Sequence, residues 1–476
     1  MSSTKHKHTL QTLWAPWAWT RVYGADPPTW QENVLLTIDQ AGHWETITPG
    51  ISQAPNNAQI APGPLLPSFV NAHSHAFQRA FAGQTEHRSA QSDDFWSWRQ
   101  SMYGLANRVN PEQLEAIASQ LYIELLQGGY TQVCEFHYLK HQTGGAPFED
   151  PLAMTWALAR AAHTAGLGLT VLPVLYERAG FCEPDLRADQ QRFKQSALEV
   201  WKAAIAINEK RQPLLNAGLA IHSIRAASKE SIHSLLDLAT GFEGPVHIHV
   251  AEQSAEVKDA QTHYGARPIQ WLAQQNFLDK RWQLVHATHT TAEETNSAAA
   301  CGASIVICPT TEGNLGDGLS DLPRWLGAKV GLTIGSDSHA SRDALEELRW
   351  LEYGQRLQLQ KRNISGNPDT AAGSSAQRLL GLLADSSAQA AGLPAWGLSA
   401  GARADALVLN IAQQSLLGVP KQHWLDALVF SSPSQPWQDV MVAGQWVIRG
   451  GLHPQAAKVA RQFEQAMQQL RQITPN

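Results

Sequence analysis

In the stretch FVNAHSHAFQRA, Phe69 to Ala80, two histidines stand two residues apart at the end of an apolar run. Side chains alternate faces along a strand, so His73 and His75 point the same way and can share one ion. The pair alone carries little, because the chain holds 19 histidines. Its company carries more: His249 and Glu252 lie in HIHVAE, His286 in LVHATH and Asp337 in GSDSH, each at the polar end of another apolar run. Three imidazoles and a carboxylate make a mononuclear zinc shell with an open position for water or substrate. Such a set argues against an oxygen-only cage for a hard cation, while iron or another first-row divalent metal stays open. Each residue also has a plain structural reading. His247 reads as a buried, hydrogen-bonded histidine, Asp337 as a turn residue and His286 as a strand cap.

Only a fold can gather groups so far apart in sequence. LLPSFVNAHSH, YTQVCEFHY, LTVLPVLYE, AGLAIHSIR, PVHIHVAE, WQLVHATH, ASIVICPTTE and KVGLTIGSDSH are short apolar runs with polar ends. Between them, segments such as PEQLEAIASQLYIELLQGG and DPLAMTWALARAAHTAG place apolar residues at helical spacing, opening with Pro or Asp and closing with Gly. Strand then helix, eight times, predicts an α/β fold: a (β/α)8 TIM-type barrel over residues 65–392, with its active site at the strand C-termini. A large open α/β sheet is the alternative with the same alternation. The flanks TLWAPWAWTRVYG, NVLLTIDQAGHWETITPG, ADALVLNI and DVMVAGQWVIRGG read as short strands, which predicts a small β-sandwich domain built from residues 1–64 and 393–476. A terminal amphipathic helix follows in PQAAKVARQFEQAMQQLRQI.

Bulk properties narrow the function. With 43% hydrophobic and 16% charged residues the chain has the apolar content of a globular protein and not of a disordered one. A net charge of -6 argues against a sequence-independent hold on nucleic acid or an anionic membrane, which needs a basic face. The four cysteines form neither a disulfide framework nor a paired zinc motif, and no signal-peptide or membrane-spanning segment is read. The expected location is the cytoplasm.

Taken together, these residues resemble the amidohydrolase superfamily, in which a barrel carries His-x-His on its first strand, His on the fifth and sixth, and Asp on the eighth. GARADALVL looks like the return strand of that superfamily's small β domain. The absence of a convincing bridging lysine implies the one-metal deaminase subtype. HSHAFQRA, FWSWR, EFHY, HSIRA, HIHVAEQ, LVHATH, EGNLGDG, GSDSH and EELRWLEYGQRL are similar, within it, to the family of deiminases acting on N-formimidoyl-L-glutamate in histidine breakdown. That resemblance implies one Zn2+ per chain held by His73, His75, His249 and Asp337. It implies catalytic groups at Glu252, His286 and Asp337, substrate contacts from Gln78, Arg99, Tyr138, His222 and Arg225, and a homodimer. One departure is Ser68, where the superfamily usually places glycine after the proline.

The chemistry is consistent with those roles. Replacing the imino nitrogen of a formimidoyl group by oxygen needs water activated near neutral pH, and Glu252, three residues beyond His249, is placed to move its proton. The two carboxylates of the substrate ask for arginines, whose planar fork gives paired charge-assisted hydrogen bonds. Phe95, Trp96 and Trp98 of FWSWR either pack a lid or serve as ordinary core aromatics. EGNLGDG lacks the Lys-Ser/Thr of a phosphate loop and reads as a substrate-shaping turn. Two rivals are a one-metal aminohydrolase acting on a nucleobase or related heterocycle, and a non-catalytic metal-binding protein on the same fold.

Overall fold

The computed structural model describes residues 10–21, 27–87, 94–368, 373–431 and 434–472. Eight strands form the central ring: β1 (Phe69–Ser74), β2 (Tyr130–His137), β3 (Gly168–Leu175), β4 (Leu219–Ile221), β5 (Val246–Val250), β6 (Trp282–His286), β7 (Ser304–Ile307) and β8 (Gly331–Ile334). Neighbours pair in parallel; Ile334 opposite Asn71 joins β8 to β1, and Ala220 opposite Val174 joins β4 to β3, so the ring closes. Every residue of β1, β2 and β3 is buried. A strand covered by helices outside and by packed side chains inside has no solvent face, which is why these runs are apolar without alternation.

The helices between the strands start and stop where local chemistry dictates. The helix Pro111–Gln127 opens with proline, and Asn110 and Gln113 satisfy each other's backbone N–H groups. The helix Ala153–Ala165 ends at Gly166, whose φ of 70° is the left-handed conformation that glycine adopts without penalty. The predicted strand ASIVICPTTE is shorter than its apolar run: β7 stops at Ile307 and a helix begins at Pro309, so the glycine-rich segment opens as the helix Pro309–Leu315 and turns only at Gly316.

The floor of the barrel is closed by the last turn of the helix Ser375–Ala391. The Ala390 carbonyl accepts from Cys134 Sγ at 3.4 Å and His247 Nε2 at 2.9 Å; the Ala391 carbonyl accepts from Thr170 Oγ1 at 2.9 Å and Asn216 Nδ2 at 2.8 Å. Carbonyls that a helix end leaves without partners are thus satisfied by side chains from β2, β3, the segment before β4, and β5. His247 is a core histidine committed to this contact.

Both chain ends build one further sheet, in the order Gln445–Ile448, Trp437–Val442, Ala406–Leu409, Leu65–Leu66, Gln11–Thr20, Thr29–Ile38, Trp44–Thr48, with Gln59–Ile60 beside Gln11–Thr20. It encloses its own core, in which Leu13, Leu36 and Trp44 meet Val408 and Met441. Pro16 has no N–H to donate, and the pairing steps from Ala15 opposite Val34 to Trp17 opposite Glu32, with the skipped Asn33 at φ 52°. Arg403 locks the sheet to the barrel. It donates to Asp405 through Nε at 2.9 Å and Nη2 at 2.6 Å, to Gln132 Oε1 at 2.7 Å and to the Thr131 carbonyl at 3.1 Å. The Arg-x-Asp of GARADALVL is therefore a buried clamp. Ser68 fits beside it, its hydroxyl 2.7 Å from that of Thr131. No helix among the described residues is long and apolar enough to cross a membrane.

Candidate active site

The C-terminal ends of the strands are tied together by backbone bonds. Asp337 N–H donates to the His73 carbonyl at 3.0 Å, and His75 N–H to the Asp337 carbonyl at 3.2 Å. A Cβ at position 335 would lie 2.6 Å from that of His73, so only glycine lets the β8 end approach this closely. Ala251, His286, Ala287, Asp337 and His339 all have positive φ, between 44° and 68°. Backbone in this region is costly for residues other than glycine, and it concentrates here at the rim, where it aims side chains inward.

His73, His75, His249 and Asp337 converge. Asp337 Oδ1 lies 3.3 Å from both His73 Nε2 and His75 Nε2, and His249 Nε2 lies 2.9 Å from His73 Nε2. His75 Nδ1 faces the Phe136 carbonyl at 3.0 Å and His249 Nδ1 the His222 carbonyl at 2.9 Å. A carbonyl only accepts, so both Nδ1 atoms carry the proton and both Nε2 atoms present bare lone pairs. Burial, reinforced by neighbouring imidazoles, holds His73 and His249 well below the ordinary histidine range; burial also lowers His75 against the pull of Asp337. Neutral imidazoles crowded together, His73 and His75 beside the Asp337 carboxylate and His249 against His73, form a donor set that fits a first-row divalent cation. His73, His75 and Asp337 place one ligand atom each within 4.8 Å of one another, as do His73, His249 and His286.

Beside this cluster sit the groups able to move protons. Burial raises Glu252 to about 7, with His286 and Arg225 pulling it down and Asp337 pushing it up. Burial lowers His286, but Glu252, Glu312 and Asp337 outweigh it and carry the imidazole to about 10. His286 Nε2 is 3.8 Å from Glu252 Oε1 and 3.9 Å from Asp337 Oδ2, while its Nδ1 is 3.3 Å from Glu312 Oε1.

A cavity opens from the cluster, and Gln78, Arg99, Tyr138, His222 and Arg225 all line it. Gln78 Nε2 donates to Tyr138 Oη at 3.3 Å, leaving its buried Oε1 without a partner. Burial and Arg225 keep His222 well below the usual histidine range, so it enters the cavity neutral. Neither Arg99 nor Arg225 pairs with a carboxylate among the described residues, and Arg225, 7% exposed, has a buried Nη1 with no hydrogen-bond partner. FWSWR lies on the helix Phe95–Ala106, capped by Asp94, where Arg99 stacks 4.4 Å from the Trp96 ring and Phe95 and Trp98 line the cavity.

Other residues of the site went unassigned from sequence. Glu135 accepts from Ser74 Oγ at 2.7 Å and from Ala76 N–H at 2.5 Å, clamping the chain on both sides of His75. Glu312 accepts from Cys308 N–H at 3.0 Å and faces His286. Tyr103 and Tyr176 line the cavity opposite the cluster. Glu135, Glu312 and Tyr176 fall in stretches singled out as strand ends or loops, but nothing in their spacing showed which partners they meet.

Residues 65–447 match the model of the amidohydrolase family. The chain is 42% identical to the formimidoylglutamate deiminase of Pseudomonas aeruginosa, over 93% of this chain and 97% of that one. The chain belongs to the amidohydrolase family. It is also 24% identical to a 5-methylthioadenosine/S-adenosylhomocysteine deaminase of Thermodesulfovibrio yellowstonii, over 82% of this chain and 81% of that one. Among solved structures, an amidohydrolase from Brucella melitensis superposes with a TM-score of 0.89 at 35% identity, covering 97% of this chain and all (100%) of that one. An adenosine deaminase from Xanthomonas campestris with bound zinc shares the fold, with a TM-score of 0.78 at 21% identity over 97% of this chain and 99% of that one.

Proposed function

We propose that this chain is a zinc-dependent deiminase that hydrolyses N-formimidoyl-L-glutamate to N-formyl-L-glutamate and ammonia, a step of histidine breakdown. One observation carries the choice of substrate: two arginines that form no ion pair among the described residues, one of them with a buried unpaired N–H group, face the same cavity as the histidine and carboxylate cluster. Buried guanidinium groups left unpaired are costly unless a ligand's anions complete them. A substrate with two carboxylates does so, and the likeness to the Pseudomonas aeruginosa enzyme agrees. Nucleoside deaminases share the fold, but a neutral heterocycle would leave both arginines unsatisfied.

In this reading His73, His75, His249 and Asp337 hold the metal. Zinc supplies Lewis-acid activation, bringing the pKa of water from about 15.7 to roughly 7. Glu252 takes the proton of the attacking water at its carboxylate and returns it to the departing nitrogen, for which a carboxyl titrating near neutrality is suited. His286, beside Glu252 and Asp337, orients the attacking oxygen and, when protonated, offsets the charge that grows as it adds to the formimidoyl carbon. Water adds across the carbon–imino nitrogen double bond, the proton of the added hydroxyl then follows the first to that nitrogen by way of Glu252, the carbon–nitrogen bond breaks, and ammonia leaves as the formyl carbonyl forms. Gln78, Tyr138 and His222 line the region around the amidine. The proposal extends to a cytoplasmic homodimer on family likeness alone.

The test is ammonia release from N-formimidoyl-L-glutamate before and after chelation, with zinc added back and adenine, adenosine and cytosine as competing substrates. Release that disappears on chelation and returns with zinc supports the reading. Turnover of a heterocycle in its place moves the assignment to an aminohydrolase, and no turnover of any substrate moves it to a metal-binding protein without catalysis.

A further inference from the structure

Behind Arg99 two tyrosines meet hydroxyl to hydroxyl. Tyr103 Oη, on the helix Phe95–Ala106, is 3.2 Å from Tyr176 Oη, one residue past the end of β3. Both side chains are buried and both line the cavity. Gln190, fully buried, fixes the proton count. Its Oε1 accepts from Arg187 N–H at 3.1 Å, which orients the amide, so its Nε2 must donate to Tyr176 Oη at 2.9 Å and approach Tyr103 Oη at 3.5 Å. The two hydroxyls hold two protons between them, and their mutual hydrogen bond uses one. The other is left over in a cavity that also contains two unpaired arginines.

The pair stands away from the reacting end. His249 is 5.1 Å from His222, ring to ring; His222 is 4.4 Å from Tyr176; beyond it comes Tyr103, whose ring lies 5.7 Å from the Arg99 guanidinium. Arg225 stands between the two ends, its charge felt by Tyr176 and by the Glu252 carboxyl alike, while Arg99 sits against Tyr103. Resting on the deiminase reading, we infer that Tyr103 and Tyr176 are specificity-determining residues: with Arg99 they form the subsite for the substrate's side-chain carboxylate, to which the pair donates its spare O–H. The subsite selects a carboxylate at the far end of the substrate against a carboxamide of the same shape, because Arg99 can only donate and the amide offers one acceptor oxygen where the carboxylate offers two.

Removing either hydroxyl singly frees the remaining one, so single Tyr→Phe variants retain a donor. The decisive protein is the double variant Tyr103→Phe/Tyr176→Phe, compared with wild type on N-formimidoyl-L-glutamate and N-formimidoyl-L-glutamine. For the double variant the expected result is a KM for the glutamate derivative raised tenfold or more, with kcat within about threefold, and a glutamate-to-glutamine ratio of kcat/KM reduced at least tenfold. Each single variant should keep most of that ratio. Metal content and thermal midpoint are measured alongside, and because the readout is a ratio within one protein, partial misfolding cancels. A double variant that keeps the wild-type ratio overturns the inference while the deiminase assignment stands; a wild type that fails to turn over formimidoyl-glutamate overturns the assignment itself.

Discussion

Arg225→Met separates a ligand-binding arginine from a structural one by the size of its effect on stability. In most buried arginines, truncation strands a carboxylate and costs about 3–5 kcal/mol. Here no carboxylate among the described residues lies within ion-pair distance of the guanidinium and Nη1 has no partner, so the variant breaks no salt bridge and removes only a through-space pull on Glu252 and Glu256. The denaturation midpoint should stay close to that of wild type. Substrate binding should suffer: charge-assisted hydrogen bonds contribute about 1.5–3 kcal/mol each, so losing a paired set removes about 3–6 kcal/mol, or roughly 10²–10⁴ in kcat/KM at 1.4 kcal/mol per decade. A second signature follows from charge. Arg225 lowers the Glu252 carboxyl, so its removal raises that group further, and activity that depends on ionised Glu252 should fade at a higher pH on the acid side than in wild type. Ammonia release across a pH series, with urea denaturation followed by tryptophan fluorescence, measures all three effects. A lowered midpoint together with an unchanged KM would refute the reasoning, since it would make Arg225 a structural cation.

Glu252→Gln should lower kcat by about 10²–10⁴ while leaving metal content unchanged, because its carboxylate lies outside the cluster of close ligand atoms; elemental analysis beside the ammonia assay checks both. Arg403→Met should cost about 3–5 kcal/mol by leaving buried Asp405 without its cation, and the double variant Arg403→Met/Asp405→Leu should recover much of the loss, read from urea midpoints.

The barrel was legible because its strands are buried on both sides, which writes them into the sequence as apolar runs whose polar ends mark the rim. His73, His75, His249, Glu252, His286 and Asp337 share one property visible in a string of letters: each is an ionisable residue at the end of such a run. Glu135 and Glu312 share it too, yet their roles depend on partners across the barrel, a serine hydroxyl and a backbone amide for one, an imidazole for the other. Tyr103 was harder still. It sits on a helix outside the strand pattern, and an aromatic residue at helical spacing reads as core until a second hydroxyl is seen opposite it. The helical start of EGNLGDG was hidden for a similar reason: Pro309 opens a helix as readily as it follows a strand, and the polar stretch looked like a loop.

Leu65–Leu66 separates the first hairpin of the terminal sheet from strands made more than three hundred residues later. On a ribosome adding about 5–20 residues per second, that interval is on the order of half a minute. Throughout it, the nascent N-terminal ribbon exposes a tryptophan-rich margin with nothing yet synthesised to cover it. Pro16, which cannot donate within that ribbon, makes the margin a poor template for neighbouring chains on a polysome. That protection serves only the interval of synthesis: fusions or truncations that withhold the final seventy residues leave the apolar margin uncovered for good and should yield aggregated polypeptide and no soluble barrel.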